Sequence, residues 1–443
     1  MKLKITAVVL VVMLLLSSCS MGVMTMDELI SPPKAYGENV GIQSALDKKL
    51  DTGYVLKSPS AGKYDSAFVL YDVNNDGMDE AFAFYQPAST KNQVNMMLLV
   101  YDTEKKQWYA VEEVEGQGSG VYSVDFGDFN DDGIDEICIG WLMFNNKEKR
   151  ILSVYSFDSQ KGNLKNIASS NITFTSMVVC NMNEDNRDEI LLLSLEAKKS
   201  PSEATAKLYG EDSEGNFNLI SEAHLDPTVT SYPNVVVQKR MIDTGAIVYV
   251  DGTKGEEYMV TELVYWDKDR KSLVAPLYNT MFDSSSFISR GMRVYSRDVN
   301  DDGIVEVAMP GTYQGETDKN IMFVDWNVVN ASELVSVQHS VINKNDSFML
   351  DISDELAGKL CVVYNSEKRA TTFYEWDFTN NIKGNELFTI VAMKKSEWDN
   401  TQGSTYDKIG SNGSVVYLAK MYDNTSGTKI SVNDLKYSIR NYN

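Results

Sequence analysis

Residues 72–80, with the sequence DVNNDGMDE, carry the motif on which the predicted fold of this 443-residue chain rests. The pattern D-x-N-x-D-G-x-x-E returns at residues 128–136 (DFNDDGIDE) and 298–306 (DVNDDGIVE). A degenerate copy, NMNEDNRDE, occupies residues 181–189. At ordinary composition the D-x-N-x-D-G core arises by chance about once in 10^5 start positions, so three copies indicate an internal repeat.

The spacing of oxygen-bearing side chains in these copies is typical of a calcium loop. Ca²⁺ prefers hard oxygen ligands, and oxygens on the first, third and fifth residues of a tight loop can converge on one point. Glycine at the sixth position permits the turn, the seventh offers its backbone carbonyl, and a carboxylate at the ninth closes the shell. The candidate ligands in the three good copies are Asp72, Asn74, Asp76, Met78 and Glu80; Asp128, Asn130, Asp132, Ile134 and Glu136; and Asp298, Asn300, Asp302, Ile304 and Glu306.

The degenerate copy supplies a further candidate site. Its corresponding residues are Asn181, Asn183, Asp185, Arg187 and Glu189, so an asparagine replaces the first carboxylate. The sequence therefore predicts about three Ca²⁺ sites, with this copy as a candidate fourth. The alternative for every copy is an acidic hairpin turn that holds no metal.

The surroundings of the motif argue against an EF-hand. An EF-hand needs a carboxylate at the twelfth loop position and flanking helices. That position is Ala83, Ile139 or Met309 in the good copies. The flanks are short apolar runs, such as residues 68–71 and 81–85. Runs of this kind on either side of an acidic turn predict β-hairpins.

The motif recurs with a regular period. The copies begin 56, 53 and 117 residues apart, and because the last interval is about two periods, we expect eroded hairpins near residue 240 and around residues 351–355. A second landmark, an aromatic residue ending a strand before a charged turn, occurs at Tyr101, Phe157, Tyr209, Trp266, Trp326, Trp376 and Tyr422. Four short strands per period are typical of a propeller blade. The sequence therefore predicts an all-β fold, a β-propeller of seven four-stranded blades with a short N-terminal helix.

The acidic hairpins resemble the FG-GAP or VCBS-type repeats of bacterial surface proteins and of the integrin α-subunit propeller. The resemblance covers about residues 60–440 and implies calcium held in the loops of a β-propeller. The N-terminal part also resembles uncharacterised clostridial repeat lipoproteins. Neither resemblance implies a reaction.

The first residues are typical of a lipoprotein signal. Lys2 and Lys4 precede an apolar run that ends in LSSC at residues 16–19, which resembles a bacterial lipobox. The resemblance implies removal of residues 1–18 and attachment of a lipid to Cys19, which would anchor the chain extracytoplasmically to the bacterial cell membrane. The alternative is an ordinary secretory signal.

The remaining segments follow from the repeat and the signal. Residues 19–38 are predicted to be a tether, and residues 39–58 an N-terminal helix followed by a candidate ring-closing strand at residues 54–56. Residues 59–443 are predicted to form the propeller of about seven repeats.

Composition restricts the function. The net charge of −22 argues against nucleic acid, because phosphate binding needs a surface rich in Lys and Arg. Only His224 and His339 are present, which excludes a histidine-rich zinc site, and neither G-x-S-x-G nor H-E-x-x-H occurs. We therefore predict a binding protein and not an enzyme.

The expected ligand is an extracytoplasmic protein, peptide or carbohydrate. Aromatic residues predicted in loops of one propeller face are candidate contacts, namely Tyr85, Trp141, Tyr232, Tyr278 and Tyr313. One alternative is a structural or assembly subunit of a cell-surface complex. Another is a glycoside-processing enzyme that uses paired carboxylates.

Overall fold

Antiparallel strands dominate the part of the chain that the structure, a computed structural model, describes. The described residues are 37–50, 53–90, 92–158, 162–169, 171–196, 202–212, 214–239, 245–285, 287–330, 333–398, 405–423 and 430–442. The chain divides into two compact units. The first comprises Met1–Val124, Trp141–Asn146 and Phe157–Lys165, and the second comprises Asp125–Gly140, Lys147–Ser156 and Asn166–Asn443.

The strands and helices of the described residues are numbered here in chain order. The first fourteen strands are β1 (Tyr54–Leu56), β2 (Phe68–Tyr71), β3 (Glu80–Pro87), β4 (Asn95–Asp102), β5 (Gln107–Glu115), β6 (Gly120–Gly127), β7 (Glu136–Met143), β8 (Asn146–Asp158), β9 (Asn163–Asn166), β10 (Thr173–Phe174), β11 (Ser176–Cys180), β12 (Glu189–Glu196), β13 (Glu203–Glu211) and β14 (Phe217–His224).

The later strands are β15 (Ser231–Lys239), β16 (Ala246–Lys254), β17 (Tyr258–Asp267), β18 (Ser272–Val274), β19 (Ser289–Arg290), β20 (Val307–Pro310), β21 (Ile321–Asn330), β22 (Glu333–Asn343), β23 (Phe348–Ile352), β24 (Leu360–Asn365), β25 (Ala370–Asp377), β26 (Ile382–Lys394), β27 (Asp407–Asn412), β28 (Val415–Met421) and β29 (Ile439–Asn441). The helices are α1 (Glu38–Lys49), α2 (Lys395–Trp398) and α3 (Val432–Ser438).

These strands form six antiparallel sheets. The first four have the orders β1-β3-β4-β5, β10-β8-β7-β6, β11-β12-β13-β14 and β15-β16-β17-β18, with β2 paired to β3, β9 to β8 and β19 to β17. The fifth and sixth have the orders β20-β21-β22-β23-β29 and β24-β25-β26-β28-β27. An all-β fold class is therefore established.

Burial explains which strands are central. β3 has the sequence EAFAFYQP and is buried at its first six positions, and β12, EILLLSLE, is buried at its first five. A strand that is apolar at successive positions is covered on both faces, whereas β5 alternates between exposed and half-buried residues. Helix α1, expected at the start of residues 39–58, packs Ile42, Ala45 and Leu46 against the first sheet.

The hairpins around the acidic motifs have the predicted order in the first three sheets. β2 pairs with β3 from Phe68 opposite Ala83 to Tyr71 opposite Glu80. β11 pairs with β12 in the same way and ends with Cys180 opposite Glu189. The eroded hairpin expected near residue 240 is β15–β16, although its turn at residues 240–244 lies outside the described residues.

The later part of the chain differs from the prediction. The hairpin expected around residues 351–355 does not form, because β23 pairs with β22 and β29 while β24 begins the next sheet beside β25. β28 pairs with β26, and β27 pairs with β28. The strands that were expected to start a seventh sheet therefore extend the sixth sheet. After Tyr422, the next described elements are α3 and β29 and not a fourth strand of a separate sheet.

Two smaller expectations from the sequence also differ from the structure. The candidate ring-closing strand, β1, pairs with the first sheet, where Tyr54 lies opposite Pro87. Trp326 does not end a strand before a turn. It lies within β21 beside a register shift against β22, and the strand continues to Asn330.

Candidate metal-binding loops

The first acidic loop is closed by its own carboxylates. Gly77 N–H donates to Oδ2 of Asp72 over 2.8 Å, and Asp76 N–H donates to its Oδ1 over 3.0 Å. Oδ1 of Asp76 in turn accepts from Met78 N–H at 2.9 Å. Gly77 has φ of 88°, a left-handed conformation that favours glycine, and Asn75 has φ of 56°. The D-x-N-x-D-G spacing therefore encodes this turn directly.

The second and third good loops repeat this geometry. Gly133 N–H donates to Oδ2 of Asp128 at 2.9 Å, and Gly303 N–H donates to Oδ2 of Asp298 at 2.8 Å. The amides that follow these glycines, on Ile134 and Ile304, donate at 2.8 Å to Oδ1 of Asp132 and of Asp302 respectively. Three sequence copies thus adopt one conformation.

The degenerate loop is closed differently. Nδ2 of Asn181 donates to the carbonyl of Asp185, so a donor stands where the other loops place a second carboxylate oxygen. Arg187 N–H still donates to Oδ1 of Asp185 at 2.8 Å. Lys268 forms an ion pair with Glu184 and brings a positive charge to this loop. These contacts make this loop a weaker candidate for a cation than the other three.

The ninth-position glutamate has a structural role that the sequence prediction missed. In all four loops its Oε2 accepts a hydrogen bond from the second-position amide, at 2.8–3.1 Å. All four side chains, those of Glu80, Glu136, Glu189 and Glu306, are buried. The glutamate therefore ties the end of each loop to its beginning from the inside.

Burial changes the acidity of these glutamates. Desolvation, opposed by the backbone hydrogen bond and reinforced by the loop aspartates, raises the pKa of Glu80 and Glu306 to about 7. The same causes raise the pKa of Glu189 to about 8, and in Glu136, where Glu211 adds repulsion, also to about 8. Oε1 of Glu306 has no hydrogen-bond partner among the described residues. A cation would relieve both the repulsion and this unsatisfied oxygen.

These pKa shifts predict a pH dependence for the calcium-free protein. Between the ordinary glutamate pKa of 4.5 and about 8, the folded state binds protons that the unfolded chain has lost, so stability should fall as pH rises. We expect the melting temperature in chelator to be lower at about pH 8 than at about pH 5. Glu136→Gln should reduce this difference, since glutamine does not titrate. An unchanged difference in that variant would contradict the buried, protonated state of Glu136.

The donor chemistry of the three good loops fits calcium. Each loop offers only oxygen donors, from two aspartates, an asparagine, a glutamate and backbone carbonyls, and Ca²⁺ binds such ligands. Within the described ranges, no group of three or more His, Cys, Asp or Glu side chains is already arranged to hold a metal ion. The carboxylates instead face backbone amides, an arrangement compatible both with a metal-free turn and with a loop whose oxygens reorient on binding.

The five aromatic residues predicted to contact a ligand lie in different environments. Tyr85 and Trp141, in the first unit, are fully buried, so they are core residues and do not reach a soluble ligand. In the second unit, the hydroxyl of Tyr232 is buried without a described partner. The hydroxyl of Tyr278 donates a hydrogen bond to Asp283. Tyr313 is 47% exposed, and its ring stacks on that of Phe323 with 5.1 Å between the centroids. Of the five side chains, Tyr313 is exposed, and Tyr232 and Tyr278 are half-buried.

Sequence reasoning also missed a buried ion pair in the second unit. Asp251 and Arg290 have fully buried side chains, and Nη2 of Arg290 lies 3.1 Å from Oδ1 of Asp251. Asp251 also accepts from the backbone amide of Ser296 at 2.6 Å and from Nδ2 of Asn234 at 2.9 Å. In the sequence, Asp251 is marked only as an acidic residue between the apolar run of residues 246–250 and Gly252.

The described helices include none that is long and apolar enough to cross a membrane. The predicted signal, residues 19–36 of the predicted tether and the lipid-bearing Cys19 lie outside the described residues, and residue 38 of the predicted tether already belongs to α1.

Comparison with known proteins leaves the family open. No protein-family model matches the chain, and no curated protein matches it. Among solved structures, the crystal structure of Saccharomyces cerevisiae Sqt1 is similar at 9% identity with a TM-score of 0.34, covering 81% of this chain and 97% of that one. A likeness this distant defines neither fold type nor function.

Proposed function

We propose that this chain is a calcium-stabilised β-propeller of FG-GAP or VCBS type, held outside the bacterial membrane by a lipid on Cys19. In this role it acts as a scaffold that binds an extracytoplasmic ligand or protein. The observation that carries the calcium part is the shared geometry of the three good loops, in which a half-buried and an exposed aspartate flank a turn and a buried glutamate lies behind it. Buried carboxyl groups beside other carboxylates are stable when a cation neutralises them.

The propeller part is supported by repeated sheets. The first four sheets each contain strands joined in the sequential antiparallel order that a blade requires, and central strands such as β3 and β12 are buried on both faces. An isolated blade could not cover both faces, whereas neighbouring blades would. Seven blades remain the proposal from the sequence period, and six sheets are described.

A matched pair of variants tests the calcium role of the first loop. Asp76 is at a proposed ligand position, while Asp79, also exposed and in the same loop, is not. We expect Asp76→Ala to remove most of the loop's contribution to calcium-induced thermal stabilisation, about 2–3 kcal/mol at saturating calcium. Asp79→Ala removes the same charge and should leave this contribution nearly intact. Equal losses in both variants would mean that the calcium-induced stabilisation depends only on the negative charge of the loop and not on the ligand position.

One observation favours the alternative role as an assembly subunit. Met281 and Phe282 lie side by side at the tip of a turn in which Asn279 and Ser284 form an antiparallel bridge. Their side chains are 84% and 72% exposed. Adjacent exposed apolar side chains on an ordered turn are typical of contact surfaces.

A further inference from the structure

A cleft in the first unit lies beside the first acidic loop and is lined by none of the five aromatic residues predicted to contact a ligand. Its volume is about 540 Å³, and its walls are one face of α1, residues 78–79 of the loop and the turn between β4 and β5. Pockets of this size hold small molecules of one or two rings. The cleft is therefore large enough for a mono- or disaccharide.

One wall of the cleft is an aromatic surface held in a fixed position. Tyr101 and Trp108 flank the β4–β5 turn, and their ring centroids lie 5.5 Å apart at 60°. α1 approaches the indole closely at Gly41, where an added Cβ would lie 2.9 Å from Cδ1 of Trp108. Both rings are half-buried, so the packing that orients them leaves part of each surface open to the cleft. An ordered aromatic surface suits the apolar face of a ring-shaped ligand.

The charge of the cleft is opposite to that of the chain. Lys48 and Lys106 both line it, both are exposed, and neither forms an ion pair with a residue that the structure describes. The neighbouring Lys105, in contrast, is paired with Asp102 at 2.9 Å. Asp79 is the single acidic residue of the lining. In a chain of net charge −22, two unpaired lysines facing one cleft favour an anionic ligand.

The cleft also offers uncharged polar groups. Ser44 on α1 and Gln107, the first residue of β5, line it, and both side chains are exposed. A hydroxyl and an amide can each donate and accept hydrogen bonds, as the hydroxyl groups of a sugar require. Aromatic, cationic and neutral polar groups thus meet around one volume.

We propose that this cleft binds a carboxylate-bearing sugar, a uronic acid or a short saccharide that contains one. The sugar ring lies on Trp108 and Tyr101, and its carboxylate lies between Lys48 and Lys106. This inference rests on the proposed binding role, for which it names the ligand class, but it does not depend on calcium. An acidic peptide would satisfy the lysines but would not use the aromatic wall.

The test uses D-glucuronate as the probe and D-glucose as its neutral counterpart. Each is titrated into the purified protein while calorimetry and the indole N–H resonance of Trp108, assigned with Trp108→Phe, are followed. Glucuronate should bind in the millimolar range and shift the Trp108 resonance, and glucose should bind much more weakly. Lys48→Ala and Lys106→Ala should each weaken glucuronate binding about fivefold. Lys49→Ala, on the same helix but outside the cleft, is the matched control and should change nothing.

Three outcomes would overturn the inference. The first is no shift of the Trp108 resonance with glucuronate. The second is the absence of a charge effect. Equal binding of glucose and glucuronate, or an equal effect of Lys48→Ala and Lys49→Ala, would show that the lysines of the cleft do not recognise the carboxylate. The third is equal displacement of glucuronate by acetate or by a tetraglutamate peptide, which would remove the role of the ring. Running the titration with calcium and with chelator separates this result from the calcium proposal, because each can fail alone.

Discussion

Removing calcium from the purified protein is expected to lower its free energy of unfolding by about 8 kcal/mol, the largest effect that we predict. A ligand at a hundred times its dissociation constant stabilises the native state by about 2.7 kcal/mol per site, and three good loops give about three times that value. The melting temperature should fall on the order of 10 °C when chelator replaces saturating calcium. Differential scanning calorimetry in the two conditions provides the measurement.

The expected loss has a specific physical origin. Without a cation, each good loop keeps two aspartates at its surface and a glutamate behind them whose pKa burial raises to about 7 or about 8. Magnesium is the matched control, because it demands a smaller octahedral shell and keeps its water, so it should restore little of the stability. If chelator leaves the melting temperature unchanged, the loops are acidic turns without metal.

Replacing Asp251 with alanine is expected to cost about 3–5 kcal/mol of stability, since removal of one partner leaves the other charge buried and unpaired. The charge left behind belongs to Arg290, which is fully buried and bonded through Nη1 to Thr261 at 2.8 Å. The backbone amide of Ser296 would also lose its acceptor. Urea unfolding followed by circular dichroism measures the difference.

Two controls separate this buried pair from a general effect of charge. Lys207 and Glu222 form a surface pair at 3.7 Å with side chains 35% and 48% exposed, so we expect Glu222→Ala to cost less than about 1 kcal/mol. Removing both buried charges, in Asp251→Ala with Arg290→Met, should be less destabilising than Asp251→Ala alone. If Asp251→Ala proves no more destabilising than Glu222→Ala, the ion pair is not a stabilising feature of the native state.

The local chemistry of the loops could be predicted from the sequence. The position of Gly77, Gly133 and Gly303 after an Asp at the fifth position specifies the turn, because left-handed φ values favour glycine and side-chain oxygens accept the nearby amides. The apolar runs on either side specify the strands. The inward direction of the ninth-position glutamate was not predicted, since it depends on the burial of the hairpin and not on the spacing of its residues.

Strand partners and burial were harder to predict, because they depend on contacts distant in sequence. The sequence of β23 predicts a hairpin with the strand that follows it. Its partners are instead β22 and β29, and β29 lies almost ninety residues later. β26 is long enough to pair with both β25 and β28, and this accounts for the absence of a separate seventh sheet in the described part of the chain. Tyr85 and Trp141 are residue types that are common in ligand contacts, but strand register places both side chains in the core.

The central claim is that the three D-x-N-x-D-G-x-x-E loops bind calcium, and a calorimetric titration of the metal-stripped protein with calcium chloride tests it most directly. We predict about three bound ions per chain. Near neutral pH, binding should release protons, because calcium displaces them from glutamates whose pKa is raised, and the heat should therefore vary with the ionisation enthalpy of the buffer. Binding of no calcium at millimolar concentration would contradict the account.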